Sequence, residues 1–164
     1  MKQIIKKLLR EGLLREGLDK DGNVVYDIIP DVVYHGQPPK YDNKGNRSEP
    51  IVFDKFDQSK KRFLMDNHVG FYFTPDEREA RDYAEGGNVY VCSLDIKNPY
   101  YLDSHGIHVN GKGLIKSGNF FTKEDMDKLI SNGYDGLVIV TGIGRCGEII
   151  AFNSDQIKII EVIK

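Results

Sequence analysis

The chain has 164 residues, of which 40% are hydrophobic and 29% charged, with a formal net charge of −2; these totals fit one soluble domain around one core. The charge balance gives no general reason to expect tight nucleic-acid binding, and no run of about 18 apolar residues is present to span a membrane. Cys92 and Cys146 are too few and too far apart in sequence for a disulfide framework, so free thiols in a reducing cytoplasm are expected.

In chain order, residues 2–16 space Ile4, Ile5, Leu8, Leu9 and Leu13 along one helical face. Lys2, Lys6, Lys7, Arg10 and Arg15 make that helix basic, a pattern that serves nucleic-acid or membrane contacts but more commonly marks a plain surface helix. It has neither the uninterrupted apolar stretch nor the small-residue cleavage site of a signal peptide. Gly12 and Gly17 weaken or end it, which divides the chain into an N-terminal amphipathic helix, 1–18, and a domain over 19–164. DKDGNV at 19–24 carries an Asp-Gly tight-turn signal, and an EF-hand reading fails for want of a glutamate at the twelfth position.

VVYDII and DVVYHG follow as short strands rich in Val, Ile and Tyr. The polar stretch 37–50, with its Pro, Gly and Asn, is a surface loop, and 53–67 is of mixed period, a short helix or irregular. GFYFT is a strand; PDEREARDYA is a helix with Pro75 in its first turn. NVYVCSLDI alternates as a strand and is ended by Asn98-Pro99. FTKEDMDKLISNG is a helix capped by Thr122, with Asp125 completing a capping box and Gly133 stopping it. GYDGLVIV and EIIAFNSDQIKIIEVI supply the last strands. Short strands with two helices among them indicate an α+β domain.

TGIGRCG at 141–147 lacks both the Lys-Ser/Thr of a P-loop and a full G-x-G-x-x-G, so it reads as a mobile link between strands. Within it Cys146 is the better candidate for a reactive thiol than Cys92, which lies in an alternating strand, but a structural or incidental role is the commoner one for such a cysteine. His105 and His108, with Asp103 nearby, invite a metal reading but have no convincing third ligand, and no metal is expected.

Three strings carry chemistry in a fixed order: VVYHGQ at 32–37, GFYFTPDEREARDYA at 70–84 and GEIIAFNSDQIKII at 147–160. Together they resemble the signature of ADP-ribosyltransferases of the poly(ADP-ribose) polymerase and diphtheria-toxin branch. His35-Gly36 matches the His-Gly of the first core strand, and Gly70 to Phe73 the Gly-x-Tyr-Phe strand. Tyr83 matches the second tyrosine and Glu148 the glutamate that opens a late strand. The chain is most similar to the compact ADP-ribosyltransferase domains of phage and plasmid polyvalent proteins, which also favour a Phe-x-x-Phe-Asp string, here Phe53 to Asp57, and an Asn-Pro, here Asn98-Pro99. The likeness spans about residues 32–160.

The resemblance implies two small antiparallel sheets with flanking helices around an NAD⁺-binding cleft. It also implies a mono-ADP-ribosyltransferase, phage- or bacterium-encoded and cytoplasmic, that moves ADP-ribose from NAD⁺ to a protein or nucleic-acid acceptor. A monomer off the membrane is the default. His35, Tyr72 and Glu148 would form the reacting centre, with His35, Gly36, Tyr72, Phe73, Thr74 and Tyr83 holding the dinucleotide. Tyr72 and Tyr83 would stack on the nicotinamide. Gly36 would offer its backbone to the carboxamide, and His35 would bind the adenosine ribose. Glu148 would hold the nicotinamide-ribose hydroxyl and place negative charge beside the developing oxocarbenium ion.

Two departures matter. Ala80 replaces the serine that binds the carboxamide in polymerases, leaving Thr74 or water as the substitute donor. Cys146 stands where arginine-modifying relatives carry an acid, so arginine is not expected as acceptor by that route. Taken singly, the residues have plainer readings: His35 as a strand-end histidine, Tyr72 and Tyr83 as core aromatics, Glu148 as a strand-edge residue. An inactive NAD⁺- or ADP-ribose-binding or virion-associated module, and an NAD⁺ glycohydrolase, are the alternative functions.

Overall fold

A computed structural model of the chain describes residues 15–18, 24–27, 29–60, 69–103, 114–115, 121–141 and 145–164. Most of the expected N-terminal helix, the Asp-Gly turn, the end of the 53–67 segment, His105, His108 and residues 142–144 lie outside them. Among them, eleven strands (β1–β11) and two α-helices (α1 and α2) form.

The first strand, β1 (Arg15–Leu18), pairs antiparallel with β2 (Val24–Asp27). Residues 15 and 16 therefore end the chain's opening segment as strand, not as the last turn of a helix. β3 (Val33–Gln37) follows, and the polar loop after it holds only a small exposed hairpin of β4 (Lys40–Tyr41) and β5 (Arg47–Ser48).

β3 joins β7 (Asn88–Leu94) and β11 (Ile157–Ile163) in an antiparallel sheet of order β11-β7-β3. β6 (Phe71–Phe73), β8 (Pro99–Asp103), β9 (Gly136–Thr141) and β10 (Arg145–Ala151) form the second sheet, in order β6-β10-β9-β8. This second sheet is mixed, because β8 runs parallel to β9. The expectation of two wholly antiparallel sheets is corrected at that pair, whose connection contains α2 (Lys123–Ser131) and so allows the parallel return.

Alternation along the strands gives the mixed sheet two buried faces. Phe71, Phe73, Tyr101, Val138 and Ile149 face the antiparallel sheet with Val33, Tyr90 and Cys92. Tyr100, Leu102, Leu137 and Ile150 face the opposite way, onto Met126 and Leu129 of α2. α2 begins as read from sequence: Thr122 and Asp125 form a reciprocal capping box, and Gly133, just past the C-cap Asn132, has φ +83°.

α1 (Glu77–Ala84) covers the outer face of the antiparallel sheet through Ala80 and Ala84, which cluster with Val89 and Tyr34. Its N-cap is Asp76, whose side chain accepts from the Arg78 N–H at 2.8 Å. Pro75 thus precedes the cap and is not in the first turn.

Candidate active site

The two sheets touch at one backbone bridge and then part. Tyr34 and Thr74 exchange N–H···O bonds of 2.8 and 2.9 Å. The next facing positions would be Gly36 and Tyr72. There the Tyr72 carbonyl accepts instead from His35 Nδ1 at 2.8 Å. One imidazole therefore spans the opening between the sheets. Donating through Nδ1 to a carbonyl leaves the Nε2 of a neutral ring as the acceptor nitrogen.

His35 is held on its other sides by rings. Phe56 meets it edge-on with centroids 5.1 Å apart, and Phe73 lies at 5.6 Å. Phe53 stacks on Tyr90 at 4.2 Å, and the Tyr90 hydroxyl donates to Gln37 Oε1 at 2.9 Å. The Phe-x-x-Phe string thus props His35 and ties the 50–56 segment to β7. Gln37 was not singled out by sequence, because its partner Tyr90 is remote along the chain.

Gly36 has no room for a side chain: an added Cβ would stand 2.4 Å from the Ala80 carbonyl and 3.2 Å from Tyr83 Cδ1. Its first requirement is therefore the close seating of α1 on β3. Since Tyr34 directs both backbone groups to Thr74, strand alternation turns those of Gly36 toward the same edge, at the opening. Gly70 is fixed for a similar reason, with φ +89° and Ile150 Cγ2 only 2.6 Å from where a Cβ would go.

Tyr72 lies opposite Ile150 in the β6–β10 register and packs against the α2-facing core. Glu148, two residues along β10 from Ile150, shares that face with Tyr72. A bulge at Gly147 shifts the register between Cys146 and Glu148, and such bulges re-aim side chains. Cys146 consequently packs with the inter-sheet core and away from Glu148. Burial pushes its thiol up to about 12, and does the same for Cys92. Cys146 is therefore a strand residue with a suppressed thiolate: its expected place in a loop is corrected, and the structural role rated above reactivity fits its surroundings.

Glu148 is half-buried, and its carboxyl is pushed above the usual range, first by burial and then by the negative charge of Glu79. Burial, then the charge of Glu148, raises the Tyr72 phenol further above its ordinary value. Both groups consequently favour their neutral forms more than free side chains do. Glu79 is a feature that sequence reading passed over. It leaves the first turn of α1 and accepts from Thr74 Oγ1 at 2.6 Å. The hydroxyl expected as a substitute carboxamide donor is thus engaged with a carboxylate. Ala80, where a serine was looked for, is 2% exposed and points at β3.

A cavity of about 1210 Å³ is lined by every one of the expected site residues: His35, Gly36, Tyr72, Phe73, Thr74, Tyr83 and Glu148. Tyr83 is 48% exposed beside Gly36, so part of its ring is open to a ligand. No cluster of residues able to hold a metal ion occurs among the described residues. Nor is any helix among them long and apolar enough to cross a membrane.

No curated protein matches the sequence. A family model described as ADP-ribosyltransferase in polyvalent proteins matches residues 29–162.

Proposed function

The chain belongs to the ADP-ribosyltransferase family of polyvalent proteins, and from that premise we propose that it takes NAD⁺ in the cavity between its sheets and transfers a single ADP-ribose to a macromolecule. The observation that carries this reading is the convergence of His35, Tyr72 and Glu148 from three separate strands onto one cavity. Such a meeting is not required by packing alone, because burial and a like charge both disfavour the ionised form of Glu148 there.

In this reading Gly36 presents its edge-facing N–H and C=O to the nicotinamide carboxamide. Tyr83 and Tyr72 flank the ring, each aromatic contact contributing about 1 kcal/mol. The fixed tautomer of His35 offers Nε2 to a ribose hydroxyl. Glu148 accepts from the nicotinamide-ribose 2′-hydroxyl and sets its charge beside the ribose carbon as the bond to nicotinamide breaks. Stabilising charge that develops only in the transition state is what speeds the step. Phe73 contributes less directly, as support for His35. With Thr74 Oγ1 donating to Glu79 and Ala80 lacking a hydroxyl, the carboxamide has few side-chain donors, and modest NAD⁺ affinity follows. The domain is read as 19–164, and the setting as a bacterial cytoplasm in which both thiols stay reduced.

The test is NAD⁺ titration by calorimetry together with nicotinamide release in the presence of host lysate. Saturable binding, weakened by Tyr83→Ala, and release accompanied by an ADP-ribose mass increment on a macromolecule are expected. Release with water as the only acceptor would make the chain an NAD⁺ glycohydrolase. Saturable binding without any release would make it a binding module, and the absence of NAD⁺ contact at millimolar ligand would contradict the reading.

A further inference from the structure

Within that reading, we propose that Glu79 determines the acceptor, forming with Glu148 a two-carboxylate edge that receives a guanidinium group. Glu79 is exposed, whereas Glu148 is half-buried, and both line the cavity. Thr74 links them. It lies just past β6, two residues on from Tyr72, and continuing by one position the register that sets Ile149 opposite Phe73 leads to Glu148 opposite Thr74. The Thr74 hydroxyl donates to Glu79 and accepts from the Asp76 N–H at 3.1 Å, so the carboxylate is fixed in place.

The sequence excluded a guanidinium acceptor only at position 146. The Gly147 bulge sends that side chain to the inter-sheet core, so an acid there would not share a face with Glu148. Glu79 supplies the second negative charge from the opposite strand's side. Its charge weighs on Glu148, as expected of close neighbours. Among the described ion pairs, neither carboxylate has a cation: Arg81 is bound to Glu77 and Lys55 to Asp155. Two neighbouring carboxylates that repel each other complement a cation. A planar guanidinium, with several N–H groups in one fork, can donate to both at once, whereas an anionic acceptor is repelled.

The transfer balances without another reactant. The C1′–N bond to nicotinamide breaks and nicotinamide leaves with the electron pair. A guanidine nitrogen forms the new C1′–N bond with its lone pair, and its proton passes to Glu79 and then to water. The products are the ADP-ribosylated guanidinium, nicotinamide and one proton.

The experiment incubates the protein with NAD⁺ alone, with agmatine and with N-acetylglutamate, reading nicotinamide and adduct mass together. Wild type should form an agmatine adduct and no N-acetylglutamate adduct. Glu79→Gln keeps an oxygen for Thr74 but removes the charge. It should lower the ratio of agmatine transfer to hydrolysis by about tenfold or more, the scale of one hydrogen bond to a charged group. Glu79→Asp, which restores the charge, should recover part of that ratio. Nicotinamide release without an agmatine adduct, or an unchanged ratio in Glu79→Gln, overturns the assignment of Glu79 while leaving the transferase reading intact. No release by wild type with any acceptor or with water overturns the transferase reading itself, and this assignment with it.

Discussion

Glu148 is opposed by its surroundings, since burial and the charge of Glu79 both favour its protonated form. Activity that needs the carboxylate should therefore fail on acidification at a higher pH than an ordinary glutamate would impose. Glu79→Gln removes one of the two causes, so the acid limb of nicotinamide release should move to lower pH; a limb that stays put would separate the two residues electrostatically. The cysteines offer an independent check of the same physics. Both thiols are pushed up to about 12 by burial, and neither should react with a thiol reagent at neutral pH until the protein unfolds. Rapid labelling of native Cys146 would contradict its position in the inter-sheet core. Gly36→Ala tests the third local argument. With the Ala80 carbonyl 2.4 Å from the new Cβ, α1 must lift from β3, at about 1–3 kcal/mol measured by denaturant unfolding.

At the scale of elements, α2 is the segment whose ends are most strongly specified. Thr122→Ala removes one half of its capping box and should cost about 1 kcal/mol of unfolding free energy; no change would mean the cap is replaced by water without loss. The cap was legible because Thr122, Asp125 and Gly133 act within a few residues of one another. Both helices and the longer strands between 24 and 163 were legible for the same reason, from alternation and local stop signals, whereas Lys40–Tyr41, Arg47–Ser48 and Pro99–Asp103 were not read as strands. Elements that depend on distant partners were not legible. Pairing with Val24–Asp27 makes Arg15–Leu18 a strand, and the parallel course of Pro99–Asp103 appears only when Gly136–Thr141 lies beside it. His35, Gly36, Tyr72, Tyr83 and Glu148 were grouped as a candidate site through their order and resemblance, and the fold brings them to one cavity. The bulge that turns Cys146 inward carries no sequence mark except Gly147. Glu79 was hidden because its meaning comes from Thr74 and from Glu148 on another strand.

For the whole molecule, the carboxylate proposed to be catalytic also bears on stability. A carboxyl whose pKa is raised on folding contributes stability at acidic pH that is lost as pH rises through the folded value. Ionised Glu148 therefore costs the fold stability at neutral pH, and Glu148→Gln should melt at a higher temperature than wild type there, with the gap closing on acidification. Equal melting at neutral pH would mean that the site does not strain its carboxylate. Functional sites commonly trade stability in this way.

The measurement that bears most directly on the central claim is nicotinamide release by wild type and Glu148→Gln, with NAD⁺ affinity measured on both. Glutamine keeps the size and a hydrogen-bond acceptor but not the charge that steadies the oxocarbenium-like transition state. The account predicts nearly equal NAD⁺ affinity and release slowed by about a hundredfold or more, the scale of removing one preorganised electrostatic group. Equal release by the two proteins would contradict it.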